Sequence, residues 1–381
     1  MCAGYAFWDA DKLSPGEVEG LKTFFAHCNF ICPIVFFNTN CELARHLLRN
    51  GIGVRFLGGG GRIKSNWQIR KILKKYDLAF IQCYGRDAFE HYAFGARAVG
   101  LKVIFYLPHQ HLQSKINNLH LRMSDKILVE SAQQYSMLEE QSRRLYISMQ
   151  KEFAQHVAIA GHGVNLERYY PVDVVEMLRL REKQGIDLDA KVIVCLGEFS
   201  SQNKQLEFIQ QVCLKFATTA KQGKRMEFRF AVQNPLPNDL TDFSHFYLLT
   251  CCDIIDNLNL RRMMFLNTVE REQKFLDLLR AADIAVLSPE VARDEQSLAK
   301  ILSLGKPVVT IDAWKHTTEF IEEHGCGKSC KSSDFNTVFS AILELLQNDI
   351  LYKQSCNNAQ MIARHLFDAN HTVGEYEKAV I

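Results

Sequence analysis

The sequence predicts an α/β protein of two similar domains, each built on a mostly parallel sheet, and three observations carry that class. Short apolar runs alternate with amphipathic segments along most of the chain, the pattern of strand, helix and strand joined by crossovers. The clearest unit lies within residues 278–327: an apolar run from Ala281 to Leu287, a polar loop, a helical stripe at Leu298, Ile301 and Leu302, and a second apolar run at 308–311. The texture changes near Val157, where a short strand, two close glycines and Pro171 interrupt the alternation before it resumes.

Taken in order, residues 31–37 (ICPIVFF) read as a strand, 41–50 as a helix ended by Gly51, 54–57 as a strand and 66–76 as a basic helix. Residues 78–82 (LAFIQ), a helix at 88–99, 103–106 (VIFY) and 127–130 (ILVE) continue the pattern. A polar helical connection covers 179–184, and a second alternation starts at 192–196 (VIVCL) and passes through 228–232 (FRFAV). Gly305 supplies the left-handed stop of the helix before the 308–311 strand. The division is residues 1–165 for the first domain and 188–366 for the second.

Composition narrows the function classes. The 381 residues suffice for about two domains. A content of 47% hydrophobic and 23% charged residues is that of a globular chain. A formal charge of +2 gives no global attraction to nucleic acid. The 12 cysteines are scattered without zinc or redox spacing and read as buried free thiols of a reducing compartment. The first residues lack the basic start and long apolar core of a signal peptide, and no apolar run approaches a membrane span, so a cytoplasmic protein is expected.

Gly58 to Gly61, followed by Arg62 and Lys64, is not a dinucleotide fingerprint: no apolar helix is expected to open directly from it, and no acidic residue is placed downstream. It reads as an acceptor loop or as a solvent-exposed turn. The basic helix beyond, with Trp67, Arg70, Lys71, Lys74 and Lys75, reads as a face for anionic lipid or as a solvated face.

Four segments in order resemble retaining glycosyltransferases of the GT-B fold, the group related to glycosyltransferase family 4. They are SDKILVESAQQ at 124–134, GHGVNLERYYP at 161–171, VIVCLGEFSSQNKQLEFI at 192–209, and the unit at 278–327. They span most of the chain beyond residue 100. The resemblance implies two Rossmann-like domains facing a cleft, with the acceptor on the first and a UDP- or GDP-sugar on the second. It also implies that the last helix, within 367–381, packs back on the first domain, and that transfer proceeds with retention. No metal or other cofactor is expected, because basic side chains and helix amino termini neutralise the departing diphosphate.

The same resemblance nominates site residues. Gly197 leads the phosphate loop, with Glu198 where arginine is expected and Lys204 about one position late as the phosphate cation. The donor loop departs further, since Ala292 and Lys300 occupy the two positions of the usual glutamates. Glu290 and Glu295 stand nearby, and Glu290 is the candidate to contact the sugar. The backbone amides of Gln296, Ser297 and Leu298 open a helix and suit phosphate without any side chain. Glu319 matches a glutamate that contacts ribose or sugar, or else it caps the helix at 318–323.

In the first domain, His109, with His111 second, comes after the strand at 103–106 and is the candidate to orient the sugar. Relatives often carry a glycine pair at the start of the first helix, a place taken here as Asn38, Thr39 and Asn40. Asn40, Gly59 and Gly60 are the acceptor-side candidates. A glycan or a lipid-linked molecule is the expected acceptor. The rival reading is a GT-B protein that has lost catalysis and serves as a binding or scaffolding partner, motivated by Glu198, Ala292 and Lys300. A nicotinamide oxidoreductase is disfavoured by the missing fingerprint.

Overall fold

The computed structural model describes the chain except residues 1, 14, 31–32, 59, 109–117, 146–152, 162, 198–210, 212–225, 233–249, 251, 259–263, 269–271, 288–294, 312–314, 331–334 and 381. Two compact units emerge: Met1–Asn165 together with Asp368–Ile381, and Leu166–Phe367. Each holds one sheet in which every strand pair is parallel, with helices between the strands.

The first unit runs β1 (Ala3–Phe7), α1 (Pro15–His27), β2 (Ile34–Phe37), α2 (Glu42–Arg49), β3 (Gly53–Phe56), α3 (Arg62–Leu73), β4 (Phe80–Tyr84), α4 (Gly85–Arg97) and β5 (Lys102–Leu107). It continues with α5 (Asn118–Met123), β6 (Lys126–Val129), α6 (Ala132–Leu145), α7 (Phe153–His156) and β7 (Val157–Ile159). The strand order is β3-β2-β1-β4-β5-β6-β7. Successive side chains point to opposite faces. Tyr5, Phe7, Val35 and Phe37 enter one buried layer, and Ala6, Phe36, Ile81 and Phe105 enter the other.

Two expectations are corrected here. β1 and α1 are additional to the elements expected, so the first helix begins at Pro15 and the one after Asn38 to Asn40 is the second. AGYAF is fully buried, but its two alanines and glycine give it little apolar weight as a sequence. The basic helix starts at Arg62, directly off the glycines, with Gly61 as an N-cap that has no side chain to offer. The expected start at 66 is late because the first turn, Arg62 to Ser65, is polar except for the exposed Ile63.

In the second unit, α8 (Val174–Lys183) precedes β8 (Lys191–Gly197), β9 (Met226–Val232), β10 (Met264–Thr268), α9 (Glu272–Ala281), β11 (Ile284–Leu287) and α10 (Glu295–Ser303). Then come β12 (Val308–Ile311), α11 (Lys315–His324), β13 (Gly327–Cys330), α12 (Phe335–Gln347) and α13 (Asp349–Ile362). The order is β10-β9-β8-β11-β12-β13. Asp173 caps α8 by accepting from Glu176 N at 2.8 Å, and Gly305 ends α10 at φ 68°. At the amino edge of this sheet Arg181 is buried against Asp283, Nη2 to Oδ2 2.8 Å, and Asp283 Oδ2 also accepts from Val192 N at 2.7 Å.

The last helix, α14 (Ala369–Val380), belongs to the first unit. Gly163, at φ 71°, leaves room for it: a Cβ there would stand 2.6 Å from Ala369 Cα. Tyr376 donates to Gln82 Oε1 at 2.6 Å inside the layer that Tyr5 and Phe24 also line.

Candidate functional site

In an open parallel sheet the ligand crevice opens where neighbouring strands send their connections in opposite directions. In the second unit this place lies between β8 and β11, paired from Ile284 with Ile193 to Leu287 with Leu196. β8 continues towards β9 on one side, and β11 towards β12 on the other. Gly197 is the last residue of β8, and α10 opens after β11 with Gln296 half-buried and Ser297 and Leu298 buried. The structure therefore brings Gly197 and the first turn of α10 to the carboxyl edges of adjacent strands. Glu198, Lys204, Glu290 and Ala292 lie outside the described residues.

Lys300 has an evident local environment. Only 6% exposed, it sets its Nζ 5.4 Å from the centre of the Tyr169 ring. Arg280 stacks on Tyr170 at 4.6 Å and donates to Arg168 O at 2.8 Å. The segment 168–170 is thus held by two cations from α9 and α10. Glu319 is exposed in the second turn of α11, which begins at Lys315 and not at Thr318 as the sequence suggests. Behind it, Thr310 Oγ1 donates to Ser329 Oγ at 3.1 Å and Ser329 Oγ to Thr318 Oγ1 at 3.0 Å.

The matching place in the first unit lies between β1 and β4. Its first residues are Trp8 and Asp9 after β1, and Gly85 (φ 78°) and Arg86 after β4. Trp8 stacks on His91, centroids 3.5 Å apart, and His91 Nδ1 meets Ser65 Oγ at 3.2 Å. Ser65 Oγ in turn donates to the carbonyl of Gly60 at 3.4 Å, which ties the glycine turn to this corner. Glu90 pairs with Arg62 and with Arg86 Nε at 2.8 Å, and buried His120 Nε2 lies 3.7 Å from it. Burial raises the Glu90 carboxyl, but Arg86 and Arg62 outweigh it and hold the group below its usual range. Burial pushes the pKa of His91 and of His120 down, with Arg62 adding to the first and Arg86 to the second.

Asn40 is exposed on the loop after β2, and Gly60 is half-buried before α3. Gly59, His109 and His111 lie outside the described residues. The sequence reading missed Trp8, Asp9, Arg86, Glu90 and His91. The signal for the first two was faint: Trp8 and Asp9 directly follow AGYAF, a run of little apolar weight. Among the described residues, no helix is long and apolar enough to cross a membrane.

These two units, each a parallel sheet wrapped in helices, form the two-domain Rossmann-like GT-B fold, and solved structures share it over their full length. The structure resembles HepE of Anabaena in complex with UDP, with a TM-score of 0.78 at 15% identity, covering 100% of this chain and 99% of that one. It resembles a glycosyltransferase from Rickettsia africae, 0.73 at 11% identity, covering 99% and 97%. It also resembles the UDP-GlcNAc 2-epimerase of Neisseria meningitidis bound to UDP-GlcNAc, 0.64 at 13% identity, covering 100% and 99%. No protein-family model matches the sequence, and no curated protein matches it. At such identities the likeness is one of fold.

Proposed function

We propose that the chain is a glycosyltransferase that moves a sugar from a UDP- or GDP-sugar to an acceptor hydroxyl. The observation that carries the reading is the convergence of Gly197 and the α10 amino terminus at the switch point of the second sheet. Backbone N–H groups and the positive end of a helix suit a diphosphate, and they act on the charge that grows as the sugar bond breaks. In this reading the amides of Gln296, Ser297 and Leu298 hold the diphosphate beside Gly197, and Lys204 adds a cation. Glu290 and Glu319 contact sugar or ribose, His109 orients the transferred sugar, and Asn40, Gly59 and Gly60 border the acceptor. The occupants of structures sharing the fold, UDP and UDP-GlcNAc, support a uridine nucleotide.

Calorimetric titration with UDP and GDP, followed by turnover of a panel of UDP- and GDP-sugars, tests the reading. Micromolar UDP or GDP binding with release of nucleotide from a sugar donor is expected. Absence of both binding and turnover defeats it. Lys300 favours a second reading, a binding protein without catalysis, because a buried amine stands where a carboxylate is expected. Nucleotide binding without turnover of any donor on the panel would select that reading.

The acceptor side has a further face. On α3, Ile63 is 90% exposed and Trp67 57% exposed, one turn apart, and Lys71 Nζ lies 3.6 Å over the Trp67 ring. Apolar side chains within a basic helix suit an anionic bilayer surface. Flotation with anionic vesicles, lost on I63S/W67S substitution, is the expected result; no flotation of the parent protein removes the membrane contact.

A further inference from the structure

Asp9 is the single non-glycine residue with positive φ among the described residues, at φ 51° and ψ 41°. Aspartate tolerates the left-handed region better than most residues, yet the conformation still stores strain, and such strain gathers where a ligand is gripped. The residue stands one position beyond Trp8 at the carboxyl end of β1, at the switch point of the first sheet. Its carboxylate is aimed from the next loop: Asn38 Nδ2 donates to Asp9 Oδ1 at 3.4 Å, and Thr39 Oγ1 donates to Asn38 Oδ1 at 3.3 Å. Trp8 beside it is half-buried, with His91 flat against its ring at an interplanar angle of 13°. Tyr92, fully buried, meets Trp8 edge-on at 5.7 Å, and among the described residues no hydrogen-bond partner reaches its hydroxyl. A buried hydroxyl of that kind is completed by water or by a ligand.

We propose that this corner is the acceptor site for a neutral polyhydroxylated ring, a sugar, with Asp9 as the carboxylate that accepts hydrogen bonds from its hydroxyls and Trp8 as its aromatic wall. A carboxylate accepts from two neighbouring hydroxyls at once, whereas the Asn38 amide and Thr39 hydroxyl can donate as well as accept. That mixture suits a diol and repels a phosphate, which Asp9 would face with like charge. An aromatic face packs against the C–H side of a pyranose and supplies apolar contact that a carboxylate alone lacks. The fate of the bound sugar rests on the sugar-transfer reading, and the assignment narrows the acceptor to a sugar hydroxyl.

The full chain carrying W67F and W314F leaves Trp8 as the one tryptophan of the original 3. Glucose, galactose, mannose and N-acetylglucosamine are titrated to about 100 mM, enough to fill a millimolar site. At least one sugar is expected to give a saturable change in Trp8 emission, and D9A is expected to weaken it about tenfold or more. D9N, which keeps the left-handed backbone and the side-chain shape, is expected to fall between the two. Affinity for UDP or GDP, whichever the parent binds, should be the same in all three by calorimetry, which shows that the second unit is intact. No saturable change with any of the four sugars overturns the assignment, as does D9A binding like its parent. Absence of UDP and GDP binding together with absence of donor turnover in the parent protein would instead overturn the sugar-transfer reading and leave a sugar held at Trp8 standing.

Discussion

Gly95→Ala puts two opposing effects against each other at the contact of α3 and α4. In an exposed helix, alanine is better than glycine by about 1 kcal/mol, so the substitution would stabilise. Here a Cβ at Gly95 would meet Asn66 O at 2.2 Å and Ile69 Cγ2 at 2.5 Å. Relief requires α3 to move by about 1 Å, since close packing tolerates no such overlap, and overpacking of this kind costs about 1–3 kcal/mol. The shift also stretches the bond from Gly95 N to Asn66 Oδ1, now 2.7 Å, and losing it adds about 1 kcal/mol. The net expectation is destabilisation of the first unit by about 1–3 kcal/mol. In a W314F background both remaining tryptophans, Trp8 and Trp67, lie in the first unit, so urea denaturation read by fluorescence reports that unit. A lower midpoint with unchanged slope is expected. An unchanged or raised midpoint would show that the helices do not approach this closely and would refute the packing argument.

Three other outcomes arise from buried polar groups. Burial lowers the Lys306 pKa to about 8, against the opposing charge of Asp283, so between about pH 8 and 10.4 the unfolded chain binds more protons than the folded one. Stability therefore rises with pH across that window, by up to about 3 kcal/mol from this group, and is lost as pH falls back through 8; K306M should flatten that rise in urea midpoints measured from pH 7 to 10.5. Tyr376→Phe leaves the buried Gln82 acceptor without its 2.6 Å donor and should cost about 1–3 kcal/mol, seen as faster amide exchange in α14. Asp283→Asn removes the charge that compensates buried Arg181 and should lower the second unit's urea midpoint by the equivalent of about 3–5 kcal/mol.

The fold is legible where a strand carries its own apolar weight. Val308–Ile311 reads as a strand with the bounds the structure gives it, because four β-branched residues in a row between Pro307 and Asp312 leave little alternative. β1 escapes such a reading although it lies inside the first sheet, since its apolar weight rests on Tyr5 and Phe7, both on one face, while Ala3, Gly4 and Ala6 add almost nothing to a hydrophobicity count. Gly4 has a packing reason that no sequence pattern displays: a Cβ there would stand 3.0 Å from Leu78 Cδ1 and 3.3 Å from Phe80 O. The start of α3 is hidden for a related reason. Its N-cap is a glycine whose contribution is conformational, and its first turn holds cations where the usual signal is an acid.

The candidate site is less legible because most of its chemistry is placed by topology and not by spacing. A backbone amide at the start of α10 has the same sequence signature as any other amide, so Ser297 can be nominated only through the strand and helix around it. Lys300 shows the complementary case. Read as a substitution in a donor loop, it subtracts a carboxylate; seen in the fold, it lies against Tyr169 while Arg280 holds Tyr170 and the carbonyl of Arg168. A glutamate at this position could not make that contact, since the negative face of the ring attracts a cation and repels an anion. Lys300 and Tyr169 therefore fit each other as a pair, and the departure from the donor-loop pattern is matched by a partner 131 positions earlier in the chain. The change at 300 is thus a constraint on what the second unit can offer a ligand. A carboxylate contact to a ligand at this position is therefore replaced by a cation held against an aromatic ring.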